Sequence, residues 1–117
     1  MGKSDLRLYA RFECATGALL LSKLDNQLYG VSVLDIGLGG VQLRSANPLP
    51  VDIEMSLQIE LTPGKALSFN GKVRYSSGQP GEYSSGFKFA PETQEERVSI
   101  ANFVHEIFQN QWEALAS

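Results

Sequence analysis

Apolar and polar residues alternate without a break from Ile53 to Leu61, with Ile53, Met55, Leu57, Ile59 and Leu61 sharing one face. A period of two predicts a strand with one buried side and one wet side. Leu67, Phe69, Val73 and Tyr75 repeat the pattern, with Lys72 and Arg74 on the outer side. Between the two runs, Thr62-Pro63-Gly64-Lys65 carries turn chemistry, so they read as a hairpin. Tyr83, Phe87 and Phe89 alternate again after Ser76-Ser77-Gly78-Gln79-Pro80-Gly81, a stretch that reads as a loop. Earlier strands are less regular. Phe12 to Ser22 is apolar but broken by Gly17, and Gln27 to Ile36 places Val31 and Val33 on one face after an Asp25-Asn26 turn. Val41 and Leu43 begin a short strand that Asn47-Pro48-Leu49-Pro50 closes. Six strand-like segments spaced by about 8–12 residues predict a small all-β barrel or sandwich.

The last quarter of the chain changes period. Thr93 followed by Glu96 is a capping-box pattern. Ile100, Phe103, Val104, Ile107, Phe108, Gln111, Trp112 and Leu115 then recur at helical spacing. Such a stripe predicts an amphipathic helix, over 92–115, packed on the sheet with its aromatic residues in the core.

Composition fits this picture. With 117 residues, 43% hydrophobic and 20% charged, one globular domain over 1–117 is expected. No apolar run reaches the roughly 20 residues that a membrane helix needs, so membrane insertion is not expected. Met1-Gly2-Lys3-Ser4-Asp5 shows no secretory pattern. A single cysteine, Cys14, leaves no partner for an intrachain disulfide and no thiolate metal set. A cytoplasmic location is the expectation. The net charge of −3 argues against a DNA or RNA polymer, which calls for a broad basic face. The charges are uneven, however. Lys3, Arg7 and Arg11 stand near the start, and Glu92, Glu95, Glu96, Glu106 and Glu113 near the end. A small basic feature on an acidic protein suits a small anion.

Catalysis is not expected. His105 is the sole histidine, so no Ser-His or His-metal pair exists, and Gly37-Leu38-Gly39-Gly40 is not followed by the Gly-Lys-Ser/Thr of a phosphate-binding loop. Two features remain. Arg7 and Arg11 are guanidinium groups four residues apart, and a planar guanidinium grips phosphate at two points and pairs with a guanine edge. Asp35-Ile36-Gly37-Leu38-Gly39-Gly40 closes a strand. Its glycines permit positive φ and close approach of a ligand, and its carboxylate can accept two hydrogen bonds from a guanine edge.

In this order and at this separation, the two features resemble the motifs of the PilZ family: R-x-x-x-R near the N-terminus and (D/N)-x-S-x-x-G after the second strand. Arg7 and Arg11 match the first, and Asp35 and Gly40 match the second. Gly71-Lys72-Val73-Arg74 and Ser85-Gly86-Phe87-Lys88-Phe89 resemble the family's last two barrel strands. The resemblance implies a six-stranded antiparallel β-barrel over 12–90, with the C-terminal helix packed on it. It also implies a receptor for cyclic di-GMP that signals through a protein effector. Arg7 and Arg11 would wrap the ligand as a mobile segment, 1–11, closes over the barrel. Asp35 would read a guanine, Gly40 would leave room for the second base, and Arg74 would stack on a base. Gly37 stands where the family has serine, which predicts weakened binding, and Leu6, where an additional arginine accompanies a ligand pair, predicts one ligand per chain. An alternative carried by Gly37 is an adaptor that binds a protein partner without nucleotide.

Overall fold

The computed structural model describes residues 12–62 and 64–116. Six strands follow one another: β1 (Phe12–Ser22), β2 (Leu28–Ile36), β3 (Gly40–Ser45), β4 (Glu54–Thr62), β5 (Lys65–Gln79) and β6 (Glu82–Phe89). One helix, α1 (Gln94–Ala116), comes last. All strand pairings are antiparallel, and the order β1-β2-β3-β6-β5-β4 closes on itself through β1–β4 pairing, so the sheet is a barrel. Closure removes the exposed edges that an open sheet would present.

The alternating positions predict the core correctly over most of the barrel. Met55, Leu57 and Ile59 of β4 point inward, as do Val31 and Val33 of β2 and Val41 and Leu43 of β3. They meet Phe69, Val73, Phe87 and Phe89 from β5 and β6. Helix α1 starts as its sequence suggests. Thr93 Oγ1 accepts a hydrogen bond from the Glu96 backbone N–H at 3.1 Å. The Glu96 carboxylate reaches back one residue further than in the usual box, to the Glu92 N–H at 2.7 Å. Ile100, Phe103 and Val104, at the i, i+3 and i+4 positions of one face, are buried. The Phe103 ring lies 4.9 Å from that of Phe69, which in turn lies 5.4 Å from Phe89. The side chains of Ile107, Phe108, Gln111, Trp112 and Leu115 lie outside the described residues.

Strand β5 departs from the sequence pattern in two ways. First, Ser76–Gln79 is not a loop. The strand runs on to Gln79 and pairs with β6 up to Gln79 opposite Glu82. The turn is Pro80-Gly81 alone, with Gly81 at φ 95°, where proline suits the first central position and glycine the second. Serines read as loop residues because they are short and polar, yet Ser76 here accepts hydrogen bonds from Ser85 Oγ (2.8 Å) and from the Leu49 N–H (3.0 Å). Ser85 is fully buried, so the hydroxyl pair satisfies polar groups inside the barrel end. Second, Tyr75 does not point inward with Val73. It is 48% exposed, because the ladder shifts register between Val73 and Tyr75.

Candidate ligand-binding face

The register shift in β5 is a β-bulge at Arg74. Val73 pairs with Phe87 and Tyr75 with Gly86, so a single step along β6 faces two steps along β5. The inward phase moves from odd positions (Phe69, Val73) to even ones (Ser76), and both Arg74 and Tyr75 end on the outer surface. A second bulge sits in β2. Val33 pairs with Leu43 and Asp35 with Gln42, leaving Leu34 as the extra residue. Val31 and Val33 are buried before it, and Ile36 after it. Had the alternation run on, Asp35 would have followed Val31 and Val33 into the core. The bulge turns its carboxylate to the outside and brings Ile36 in.

The two bulges flank one row of the barrel, in the strands on either side of the β3–β6 pair, with Leu34 on the Leu43 side of that row and Arg74 on its Phe87 side. The cross-strand row between them is Asp35–Gln42–Gly86–Tyr75, in β2, β3, β6 and β5. Directly opposed residues in an antiparallel sheet share a face, so this row lies on one outer surface, spanning about 14 Å across three strand gaps. Gly86 makes the row work. A side chain there would run into the Tyr75 ring, so the ring occupies the space that the missing side chain leaves. Its hydroxyl donates to Gln42 Oε1 at 2.8 Å, and Gln42 Nε2 donates to Ser84 Oγ at 2.5 Å.

Beside this row is a shallow hollow of about 240 Å³, lined in part by Gly39, Gly40, Gln42, Arg74, Tyr75 and Lys88. Two cations face it, and none of its described lining residues is acidic. Lys88 also stands directly opposite Lys72, a like-charge juxtaposition that an anion on this surface would relieve. Among the described residues, the Arg74 guanidinium forms an ion pair with Asp52 at 3.7 Å, and both side chains are more than half exposed (58% and 66%).

The turn between β2 and β3 forms the rim. The Gly37 N–H donates to the Gly40 carbonyl at 2.9 Å, and the Phe89 N–H donates to that of Gly39 at 3.0 Å. Positive φ is the expected reason for glycine here. Among the described residues, however, the glycines with positive φ are Gly64, Gly78 and Gly81, so the reason lies elsewhere. At Gly40 it is close approach, since a Cβ would strike the carbonyl oxygen of Phe87 on the neighbouring strand.

Of the residues singled out in the sequence, the fold thus brings Asp35, Gly37, Gly40 and Arg74 to one end of one face. Arg7 and Arg11 lie outside the described residues. Strand β1 begins at Phe12 opposite Ile36, with Glu13 opposite Asp35. Sequence reasoning missed Gln42, Tyr75, Gly86 and Lys88. Their link is cross-strand register, which leaves no mark at any one position. Among the described residues no group of His, Cys, Asp and Glu is placed to hold a metal ion, and no helix is long and apolar enough to cross a membrane.

A closed six-stranded antiparallel barrel with a C-terminal helix is the architecture of a PilZ domain. The PilZ domain model matches residues 5–106, and the chain belongs to that family. Solved structures similar in fold include the PilZ domain with c-di-GMP of YcgR from Escherichia coli, with a TM-score of 0.75 at 13% identity, covering 93% of this chain and 96% of that one. Another is the PilZ domain of CeSA from a cellulose-synthesizing bacterium, with a TM-score of 0.67 at 12% identity, covering 83% and 96%. The Bacillus subtilis inhibitor of motility MotI/DgrA matches with a TM-score of 0.65 at 13% identity, covering 90% of this chain and 51% of that one. No curated protein matches the sequence significantly.

Proposed function

We propose that this chain is a cyclic di-GMP receptor that signals through a protein effector and is not an enzyme. The observation that carries this reading is the outer-face row Asp35–Gln42–Gly86–Tyr75 beside a hollow faced by Arg74 and Lys88. It offers, side by side, an acceptor for a guanine edge, an aromatic surface for a base and two cations for phosphates. YcgR, whose PilZ domain was solved with c-di-GMP, shares the fold. Asp35 would accept from guanine N1–H and N2–H₂, donors that adenine does not present in that arrangement. Tyr75, whose ring sits against Gly86, would stack on a base, an interaction worth about 1–3 kcal/mol. Arg7 and Arg11, which precede the strand that starts beside Ile36, would close a mobile 1–11 segment over the phosphates with bidentate bonds. Gly37 and Gly40 hold the rim, and one ligand per chain is expected.

Titration calorimetry tests this, with cyclic di-AMP and GTP as controls. Saturable binding selective for cyclic di-GMP, at one per chain, is expected. Arg7→Ala and Asp35→Ala should each weaken it by about 30- to 5,000-fold, since truncating one partner of a buried charged pair costs about 2–5 kcal/mol. One observation favours a second reading, an adaptor without nucleotide: the family serine is replaced by Gly37, which removes a hydroxyl from the rim. A hydrogen bond there is worth about 0.5–1.5 kcal/mol, so Gly37→Ser should tighten binding about 2- to 10-fold. No binding by either the wild type or Gly37→Ser at high micromolar ligand would leave the adaptor reading in place.

A further inference from the structure

Arg74 stands between two hollows. One is the candidate ligand hollow. The other lies towards Lys23, Asp52, Glu54 and Lys72, and the Asp52 carboxylate that pairs with Arg74 belongs to it. Asp52 is not a passing surface charge. It sits in the connection from β3 to β4 at φ 63°, a left-handed conformation that few side chains adopt. Its N–H donates to the carbonyl of Val73 at 2.9 Å, the residue immediately before the bulge. The backbone therefore fastens this carboxylate beside the base of Arg74, at a conformational cost that aspartate and asparagine bear best.

We propose that Asp52 is a built-in competitor for the anionic ligand at Arg74. The inference rests on the reading that Arg74 serves an anion in the neighbouring hollow. The guanidinium cannot give its full fork to Asp52 and to a phosphate or base in the hollow at once. Occupying the hollow means releasing the carboxylate, and the free energy of that pair is subtracted from ligand affinity. The device sets a threshold: a ligand must offer Arg74 more than a fixed, solvent-screened carboxylate does. Removing the carboxylate should lower that threshold for any anion that uses Arg74, by about 1.4- to 5-fold, the strength of exposed ion pairs.

The test uses the full chain labelled with nitrogen-15. Binding is read in every variant from the backbone amides of Gly39, Gly40 and Lys88, which line the hollow, and release of Asp52 from the Arg74 Nε–H resonance, which is assigned by its loss in Arg74→Ala. Inorganic pyrophosphate and cyclic di-GMP are titrated separately into wild type, Asp52→Asn, Arg74→Ala and the double variant. Asparagine keeps the left-handed backbone and loses only the charge. Asp52→Gly, which accepts the same φ, guards against an effect of the amide. The expected result is a titration midpoint about 1.4- to 5-fold lower in Asp52→Asn and Asp52→Gly, with no gain from either change when Arg74 is alanine. A gain with neither anion overturns the proposal, as does a gain of equal size in the Arg74→Ala background, which would mark general repulsion instead. If pyrophosphate shows the gain while no variant binds cyclic di-GMP, the receptor reading fails and the role of Asp52 stands. If wild type binds cyclic di-GMP and the Asp52 variants bind neither anion better, the receptor reading stands and this one fails.

Discussion

A side chain added at Gly40 would collide with a backbone carbonyl, that of Phe87, whereas one added at Gly86 would collide with the ring of Tyr75. The difference decides what each substitution does. A strand carbonyl held in a ladder cannot move without disturbing the β3–β6 pairing, where Gly40 sits opposite Lys88. Overpacking of this kind costs about 1–3 kcal/mol, so Gly40→Ala should lower the urea midpoint without changing the slope. The Tyr75 ring is the far end of a half-exposed side chain and can swing away, giving up its bond to Gln42. Gly86→Ala should therefore leave stability within about 1 kcal/mol of wild type, yet weaken cyclic di-GMP to the same degree as Tyr75→Ala. Unfolding curves and calorimetry on the same three variants separate the two glycines. Equal effects of Gly40→Ala and Gly86→Ala on stability would show that Tyr75 is as fixed as the backbone.

The elements divide into those the residue pattern announces and those it conceals. Strand β4 and the hairpin to β5 are legible because Met55, Leu57 and Ile59 keep strict alternation, and α1 is legible because Ile100, Phe103 and Val104 keep helical spacing. The bulges at Leu34 and Arg74 are not, since an extra residue in a ladder is defined only by what its partner strand does. Tyr75 consequently reads as inward from alternation alone, and the row that it forms with Asp35, Gln42 and Gly86 is invisible in the sequence. Asp35, Gly40 and Arg74 are legible as candidates through motif and alternation, but their meeting point is not. At this scale the helix makes the most direct prediction. Phe103 is 2% exposed and its ring packs 4.9 Å from that of Phe69, while the cap at Thr93 is on the exposed outer turn. Phe103→Ala should cost about 3–5 kcal/mol and Thr93→Ala about 1 kcal/mol, measured by denaturant unfolding. Similar losses for the two would mean that the helix is held by its cap and not by its seat on the barrel.

For the molecule as a whole, charge and shape point the same way. The chain carries a net charge of −3, yet Arg44, Lys72, Arg74 and Lys88 are gathered on β3, β5 and β6, while Glu92, Glu95, Glu96 and Glu106 are gathered along and just before α1. Under the receptor reading an anionic ligand would be drawn to the first surface and repelled by the second. On the same reading the barrel backbone would need no rearrangement, because the Asp35–Tyr75 row is set by strand register and Tyr75 is held to Gln42 and Gln42 to Ser84 by hydrogen bonds. The change on binding is then expected in the 1–11 segment, and ligand binding should register as added stability of a barrel that is otherwise unaltered. A ligand at 100 times its dissociation constant adds about 2.7 kcal/mol, which for a domain of this size raises the melting temperature by about 10 °C. That rise should shrink as salt is raised from about 0.1 M to 1 M, over which the screening length falls from about 10 Å to 3 Å, and it should fall sharply in Arg7→Ala. Hydrogen exchange should slow from Leu6 to Phe12 and stay unchanged in the buried barrel strands under conditions of local opening. A full rise in melting temperature with unchanged exchange at Leu6 to Phe12 would place the ligand on the preformed face alone and rule out closure by the arginine segment.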